Sequence, residues 1–331
     1  MWFMFTLSTA LAWGAADLFY KKGANELDKF SHLKTAMMVG LVMGLHAICM
    51  LIFTDMNYDF RNILVYLPVS LLYILSMTIG YFGLRYLELS ISSPIQNSSG
   101  AVTCLLCFIF LGQRMDFLSA IAVTFICTGI FLLGIFEKAK QKDEETLKST
   151  LKDKDILETQ VEPKVERGLS ASDYKYKIGF VAFLMPIFYC IIDALGTFFD
   201  AYYLDDITTT PLLNVTEATF ENVANTSYEL TFLICGIIIF LFLHFVKKEN
   251  IIANQQKDRI AAAAFETLGQ FTYVYAMSGM AVIAAPMVAS YSIISILFSR
   301  IFLREKLYRK QYFVIGLVLL GIILLGVVEA L

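Results

Sequence analysis

One part of the chain repeats itself at a fixed spacing. Moved forward by 192 positions, the segment around Pro94 falls on the segment around Pro286 without a gap. Near the start of each repeated part, Trp13-x-x-x-Asp17 matches Tyr189-x-x-x-Asp193 at a spacing of 176. A longer loop at 204–226 in the second part accounts for the difference between the two spacings. Such a repeat predicts two related halves that meet at a central site. Further pairs at 192 are Tyr81 with Tyr273, Leu105 with Leu297, Ile109 with Ile301, Leu111 with Leu303, Gly129 with Gly321 and Gly134 with Gly326.

Charged residues are scarce and segregated. Asp, Glu, Lys and Arg make up 17% of the 331 residues, against about 25% in soluble domains. A net charge of −3 gives no reason to expect a nucleic-acid partner. All six cysteines lie in apolar stretches, and Cys104-x-x-Cys107 has no second Cys or His pair, so we predict no metal and no cofactor. The composition predicts an integral membrane protein.

Ten stretches are long and apolar enough to cross a bilayer, which takes about 20 residues of helix. Five precede a charged segment and five follow it, so the second half would enter the membrane upside down relative to the first. The predicted fold class is an all-α integral membrane protein whose ten transmembrane helices form two inverted five-helix repeats. The stretches are 2–20, 32–53, 63–84, 91–111, 117–136, 176–200, 228–246, 259–277, 282–303 and 311–329.

The domain boundaries follow from these stretches. We predict a first five-helix repeat at 1–136, a charged linker at 137–175 and a second repeat at 176–331. The linker is rich in Lys, Glu and Asp, and it cannot bury enough apolar surface to fold alone.

The distribution of Lys and Arg predicts the orientation, because both favour cytoplasmic loops. The opposite side has little beyond Arg61 and Arg114, plus an acidic loop at 205–221, and the predicted external loop carries Asn214-Val-Thr216 and Asn225-Thr-Ser227. Both triplets match glycosylation acceptors, a pattern that is common by chance. We therefore expect a bacterial plasma-membrane protein with a cytoplasmic linker and both termini outside. The basic side collects Lys21, Lys22, Lys29, Lys34, Arg85, the linker, Lys247, Lys248, Lys257, Arg304, Lys306, Arg309 and Lys310.

At several motifs the chain resembles the drug/metabolite transporter superfamily, specifically a ten-span member with two EamA-type halves. The first half carries Ala12-Trp13-Gly14-Ala15-Ala16-Asp17, Tyr81-Phe82-Gly83-Leu84-Arg85-Tyr86-Leu87 and Ser92-Ser93-Pro94. The second half echoes them in Ala284-Ala285-Pro286. The resemblance implies a central cavity lined by spans 1, 3, 4, 6, 8 and 9, with spans 5 and 10 packed behind. Two loops depart from the family's usual Gly-Glu pair, reading Gly112-Gln113 and Arg304-Glu305.

A carboxylate inside a span costs at least about 2.5 kcal/mol without a partner or a role, and two of those in the predicted spans are the strongest candidates for a function. Asp17 and Asp193 are equivalent in the repeat, and Trp13 and Tyr189 lie one helical turn before them. An acid beside an aromatic ring suits a cationic substrate. The same acids are candidate proton carriers, or each one hydrogen-bonds a neighbouring helix. Asp200, nearer its span end, is predicted to be interfacial.

Further candidates lie in spans 3, 4, 8 and 9. In span 8, Glu266 is a third candidate proton carrier, and it shares one face with Gln270 and Tyr273. Pro94 and Pro286 break spans 4 and 9, and such breaks at corresponding positions point to a binding site. We assign the Gly and Ser residues around them to close helix packing, and His46 and His244 to packed or hydrogen-bonded positions. The predicted substrate-binding residues are Trp13, Asp17, Tyr81, Gln96, Asn97, Tyr189, Asp193, Tyr273 and Tyr291.

The leading hypothesis is a secondary transporter that moves a small polar metabolite by alternating access, driven by a proton or substrate gradient. Acidic interior residues favour an amine or amino-acid-like cargo over the alternative, a nucleotide-sugar or phosphorylated-metabolite exchanger. An intramembrane enzyme is a remote alternative, because the chain has no Gly-x-Gly-Asp, Gly-x-Ser-x-Gly or His-Glu-x-x-His. A receptor or scaffold is disfavoured for want of a folded soluble domain. The expected partners are the small-molecule substrate and the lipid bilayer, with a homodimer left open.

Overall fold

Helices make up nearly all of the secondary structure in the computed structural model. It describes residues 2–25, 27–87, 89–133, 135–136, 171–278, 280–304 and 309–330, and none of these forms a β-strand. The helices are α1 (Trp2–Gly23), α2 (Ser31–Phe53), α3 (Asn62–Val65), α4 (Leu67–Gly83), α5 (Leu89–Asn97), α6 (Ser99–Leu106), α7 (Phe117–Leu133), α8 (Ala171–Leu204), α9 (Phe220–Leu241), α10 (Lys257–Met277), α11 (Ala281–Ala289), α12 (Tyr291–Phe298) and α13 (Arg309–Ala330).

Six helical segments are long and apolar enough to cross a bilayer. Two more, α4 and α7, are apolar but shorter. The remaining two long helices, α1 and α10, are less apolar because they carry polar side chains that the protein buries, among them Asp17 and Glu266. Each of the ten predicted stretches falls on one helix or on a run of helices. The six are Ser31–Phe53, Ser92–Leu111, Leu184–Leu204, Phe220–Val246, Ala281–Leu303 and Arg309–Val328.

The repeat also appears in the local structure. α11 and α12 begin and end 192 residues after α5 and α6. Pro94 and Pro286 lie inside α5 and α11, where each removes a backbone donor from its helix. Four residues later each pair of helices is interrupted, at Ser98 and at Ser290. There the backbone bonds tighten to three-residue spacing, from Ser98 N to Ile95 O and from Ser290 N to Met287 O.

α6 and α12 each lead into a single turn of π-helix. The residue that follows each turn has backbone angles in the left-handed region. Gly112 has φ +66°, and its equivalent Arg304 has φ +59°. Gln113, which departs from the Gly-Glu pattern noted above, joins this turn to the second half. Its Oε1 accepts from Val282 N at 2.9 Å, and its Nε2 donates to Asp205. A glutamate could accept the first bond but could not donate the second.

Reciprocal substitutions at this turn should change stability in opposite directions. Gly112→Ala should lower the free energy of unfolding by roughly 1 kcal/mol, because a β-carbon strains a left-handed residue. Arg304→Gly should raise it by a few tenths of a kcal/mol up to roughly 1 kcal/mol, because the strain is removed. The midpoint of thermal unfolding of the purified protein measures both, and shifts of the same sign would contradict the equivalence.

Three antiparallel helix pairs join the halves. Thr9 and Trp13 of α1 contact Thr272 and Gly269 of α10. α2 packs on α9, and α4 packs on α8. α7 and α13 lie against each other behind these pairs, where Gly129 faces Val318.

The largest difference from the sequence prediction is the start of α9. It begins at Phe220, eight residues before the predicted 228, so the loop after α8 is shorter than expected. Residues such as Asn222 and Ser227 resemble loop residues in composition. They are accommodated in a helix because Asn222 accepts from Tyr275 Oη and Ser227 bonds to Tyr58 Oη, both at 2.8 Å. Asn225 is buried in this helix, so its triplet is not an accessible glycosylation acceptor, whereas Asn214 is exposed.

Part of the predicted linker lies outside the described residues. Residues 137–170 are not among the described residues. α8 begins at Ala171, inside the predicted linker. Glu305 and Lys306 also lie outside the described residues.

Candidate functional site

A cavity lies at the centre of the bundle, between the two sets of interrupted helices. It encloses about 770 Å³ between its walls, open space at its mouth included. All nine predicted substrate-binding residues line it, as does Glu266. The lining comes from α1, α4, α5, α6, α8, α10, α11 and α12, which contain predicted spans 1, 3, 4, 6, 8 and 9, together with Tyr228 of α9.

Asp17 is held by both halves. Its Oδ2 accepts hydrogen bonds from Ser93 Oγ of α5 at 2.8 Å and from Ser295 Oγ of α12 at 2.7 Å. The residue is 8% exposed. Two hydroxyl donors lower the cost of placing a carboxylate in a membrane interior.

Asp193 has the matching arrangement on the other side. Its Oδ2 accepts from Ser99 Oγ of α6 at 2.8 Å, and its Oδ1 accepts from Ser76 Oγ of α4 at 3.5 Å. Both donors belong to the first half, whereas Asp193 lies in the second. Ser99, in the polar run after Pro94, therefore bonds to Asp193, and Ser93, just before Pro94, bonds to Asp17. Besides the close helix packing assigned to the Ser residues of this run, Ser99 bonds to a carboxylate.

Glu266 lies in the same cavity beside two tyrosines. Tyr20 Oη donates to Glu266 Oε2 at 3.2 Å, and the Tyr20 and Tyr81 rings lie 4.6 Å apart. Tyr81 Oη is buried and has no hydrogen-bond partner. A hydroxyl left in this state costs free energy unless a ligand or water supplies a partner, so Tyr81 is an available contact.

Aromatic rings form much of the remaining wall. The Trp13 ring lies 5.0 Å from that of Tyr273 and 5.7 Å from that of Tyr291. The hydroxyls of Tyr73 and Tyr273 are 2.9 Å apart, and Tyr73 also donates to Thr197. These rings come from α1, α4, α10 and α12, so both halves contribute to one aromatic surface.

Gln96 and Asn97 use their amide groups within α5. Gln96 Nε2 donates to Ser92 Oγ at 3.0 Å, and Asn97 Nδ2 donates to the Ser93 carbonyl at 2.9 Å. Both bonds run back one turn along the helix that Pro94 interrupts. The two amides line the cavity and stabilise the interrupted helix, and these bonds do not join neighbouring helices.

Sequence reasoning did not select several lining residues. Tyr73 lies two turns before Tyr81 on the same face of α4, so helical spacing could have found it. Tyr228 gave no such signal, because it was placed at the very start of a predicted span. Gln270, noted only for its place on the face of Glu266, also lines the cavity.

Three other polar residues lie outside the cavity lining. His46 Nδ1 is 2.8 Å from an oxygen of Glu229, which is fully buried, so this pair joins α2 to α9. The sequence analysis did not select Glu229. Asp200 was predicted to be interfacial, but it is buried and accepts a hydrogen bond from Tyr66 Oη. His244 is exposed and lies against the rings of Phe240 and Phe245.

The charged residues among the described cavity lining are all acidic. Asp17, Asp193 and Glu266 all line the cavity, and no Lys, Arg or His is among its described lining residues. Carboxylates that share a low-dielectric site repel one another unless a cation or a bound proton neutralises them. The arrangement can therefore hold a positively charged group against acidic and aromatic walls.

Comparison with known proteins places the chain in a family. The model of the EamA-like transporter family matches residues 1–135 and 224–327. One solved structure, described only as "Crystal structure of protein", shares the fold with a TM-score of 0.60 at 10% sequence identity, covering 98% of this chain and 96% of that one. No curated protein matches the chain in sequence. The chain therefore belongs to the EamA-like transporter family of the drug/metabolite transporter superfamily, whose members are multi-pass integral membrane transporters.

Proposed function

We propose that the protein is a secondary transporter for a small cationic metabolite, an amine or an amino-acid-like compound. The observation that carries this proposal is the cavity, with three carboxylates, an aromatic wall and no basic residue among the described lining. An amine would pair with Asp17 or Asp193, while Trp13 and the tyrosines would attract it through their ring faces. Tyr81 Oη, Gln96 and Asn97 would contact the polar part of the substrate.

The proposal includes ten membrane-crossing helices in two inverted halves. The directions of three helices support the inversion. Lys21, near the end of α1, donates to Leu84 O just after α4 ends, so α1 and α4 run the same way. Tyr66, at the start of α4, bonds to Asp200 near the end of α8, so α8 runs the opposite way. α1 and α8 are equivalent in the repeat, and they run in opposite directions.

Alternating access would then be a rocking of the two halves about the cavity. The bonds that hold the aspartates support this mechanism because they cross between the halves. Asp17 is bound by Ser295 of the second half, and Asp193 by Ser76 and Ser99 of the first. A cation or a proton on either carboxylate would compete with these bonds and so change the relative stability of the two conformations. Asp17, Asp193 and Glu266 are the proposed proton-coupling residues.

The proposed orientation places the linker in the cytoplasm of a bacterium and both termini outside. Basic residues gather where α1, α4 and α9 end and α2 and α10 begin, among them Lys34, Arg85 and Arg259. The positive-inside preference supports a cytoplasmic position for that end.

The second candidate, an exchanger of nucleotide sugars or phosphorylated metabolites, needs cations in the cavity to bind phosphate. The described lining has none. The acidic cavity disfavours it.

A ligand screen followed by transport tests the proposal. The thermal stability of the purified protein would be measured with organic amines, amino acids, nucleosides and sugar phosphates. A ligand at 100 times its Kd should stabilise the protein by about 2.7 kcal/mol. We expect stabilisation by cationic compounds, and the same compounds should exchange across proteoliposomes that contain the protein. Stabilisation and exchange by sugar phosphates or nucleotide sugars, without any amine effect, would overturn the proposal.

A further inference from the structure

A second hollow lies at the basic end of the bundle, outside the central cavity. It forms where α2 begins and where α4 and α9 end, and it encloses about 900 Å³, open space at its mouth included. Three cations line it, Lys29, Arg85 and Lys247, and no carboxylate is among its described lining residues. The proposed transport mechanism does not use this site.

Each of the three positive charges lies near an aromatic ring. The ammonium groups of Lys29 and Lys247 lie 5.8 Å and 5.9 Å from the centroid of one ring, that of Phe30. Arg85 is buried, with its guanidinium 5.5 Å from the Phe82 ring centroid. It also donates to the carbonyl of Lys29 at 3.2 Å, which fixes its position beside that lysine. Three cations that line one hollow create a local field that attracts an anion.

The described acidic residues nearest in sequence to these lysines are engaged elsewhere. Asp28 lies 3.0 Å from Lys34, and Glu249 lies 2.9 Å from the same ammonium group. Asp28 is also 3.7 Å from Arg259. These pairs engage Asp28 and Glu249 with Lys34 and Arg259, neither of which lines the hollow.

The hollow also contains a polar atom that lacks a partner. His32 Nδ1 is buried and makes no hydrogen bond, and the His32 ring meets the Phe82 ring edge-on at 5.2 Å. A buried ring nitrogen without a partner is costly. An anionic oxygen in the hollow would supply the acceptor that a protonated Nδ1 needs.

The surface beside the hollow is apolar. The outer face towards the end of α9 and the turn after it exposes Leu241, Phe242, Phe245 and Val246, and the cationic Lys247 follows directly. An apolar surface followed directly by a cation matches the boundary between hydrocarbon and headgroups in a bilayer. A ligand with an anionic head and hydrocarbon tails would contact both surfaces.

We propose that this hollow is a binding site for the phosphate group of an anionic phospholipid. The phosphate would lie between Lys29, Lys247 and the Arg85 guanidinium and accept from His32, while the acyl chains would follow α9. Free phosphate could make the same head contacts, but it would leave the apolar surface unused.

The test compares lipids and charge variants on the full-length purified protein. Binding of phosphatidylglycerol, phosphatidylcholine and inorganic phosphate would be measured by native mass spectrometry and by thermal stability in a neutral detergent. The site variant is Lys29→Gln with Lys247→Gln, both at exposed residues. The matched control is Lys248→Gln with Lys257→Gln, which removes the same charge from the same end but outside the described lining.

We expect phosphatidylglycerol to bind and to stabilise the protein, with little effect from phosphatidylcholine. The site variant should weaken phosphatidylglycerol binding by roughly tenfold or more, since each cation near anionic lipid contributes about 1 kcal/mol. The control should change it by less than about twofold. Equal weakening in both variants, or equal binding of phosphatidylcholine, would overturn the site. Full stabilisation by inorganic phosphate alone would replace the lipid with a free-phosphate ligand.

Discussion

Changing either Asp17 or Asp193 to Asn should abolish the uptake of substrate against a concentration gradient. Asparagine has the same shape. Its one amide oxygen can still accept both serine hydrogen bonds at position 17 and the Ser99 bond at position 193, so we expect the fold to be retained. What is lost is the negative charge and the ability to take up a proton. A loss of one carboxylate–cation contact in a low-dielectric site should reduce transport by at least roughly tenfold. Initial uptake in proteoliposomes with an imposed proton gradient measures the effect.

Three comparisons make this prediction specific. Asp206→Asn changes an exposed loop residue and should leave uptake unchanged. Asp17→Glu keeps the charge and should retain part of the activity. Exchange of substrate without a gradient separates the two roles of each aspartate, because a residue that only carries protons can be neutralised without loss of exchange. Accumulation at the wild-type level in both Asn variants would contradict a role for the pair.

The helical architecture could be predicted because the physical constraint is strong. In hydrocarbon every backbone donor and acceptor must be satisfied within a helix, so a run of about 20 apolar residues leaves few choices. The repeat also predicted helix breaks near Pro94 and Pro286. In the structure, the helices around these two prolines begin and end at positions 192 residues apart. The resemblance to the family implied which spans line the cavity, and helical spacing placed Asp17 and Trp13 on one face of the first span.

The start of α9 could not be predicted because its sequence and its environment disagree. Asn222 and Ser227 are polar, and in isolation they favour a loop. Tyr275 of α10 and Tyr58 of the loop between α2 and α3 bond to them, so the polar residues become part of a helix end. The same error hid Tyr228 and Glu229, which lie at and just after the predicted start of the span. Tertiary contacts of this kind have no signal within the segment itself.

The partners of the aspartates were also beyond the sequence. Ser93 and Ser99 are six residues apart, and a regular helix would place them on different faces. The two serines lie on either side of the interruption at Ser98, and one contacts Asp17 while the other contacts Asp193. A proline predicts that a helix is disturbed but not by how much.

The contact between α2 and α9 depends on a glycine pair. A β-carbon built on Gly40 would lie 2.2 Å from the Phe232 carbonyl oxygen and 3.0 Å from Gly236 Cα. Both are backbone atoms, which cannot rotate away as a side chain can. Ordinary van der Waals contact begins near 3.4 Å, so the two helices would have to separate by about 1 Å. Such a separation would disturb the nearby pair of His46 and Glu229, which joins the same helices.

Gly40→Ala should therefore lower the stability of the folded protein by roughly 2 kcal/mol or more, because overpacking and a weakened buried charge pair act together. Gly316→Ala is the matched control, since a β-carbon there meets nothing within 4 Å. It should be neutral or stabilise the protein by up to about 1 kcal/mol through helix propensity. Thermal unfolding of both variants in the same detergent measures the difference. If Gly40→Ala unfolds at the same temperature as Gly316→Ala, the close approach of α2 and α9 does not limit stability.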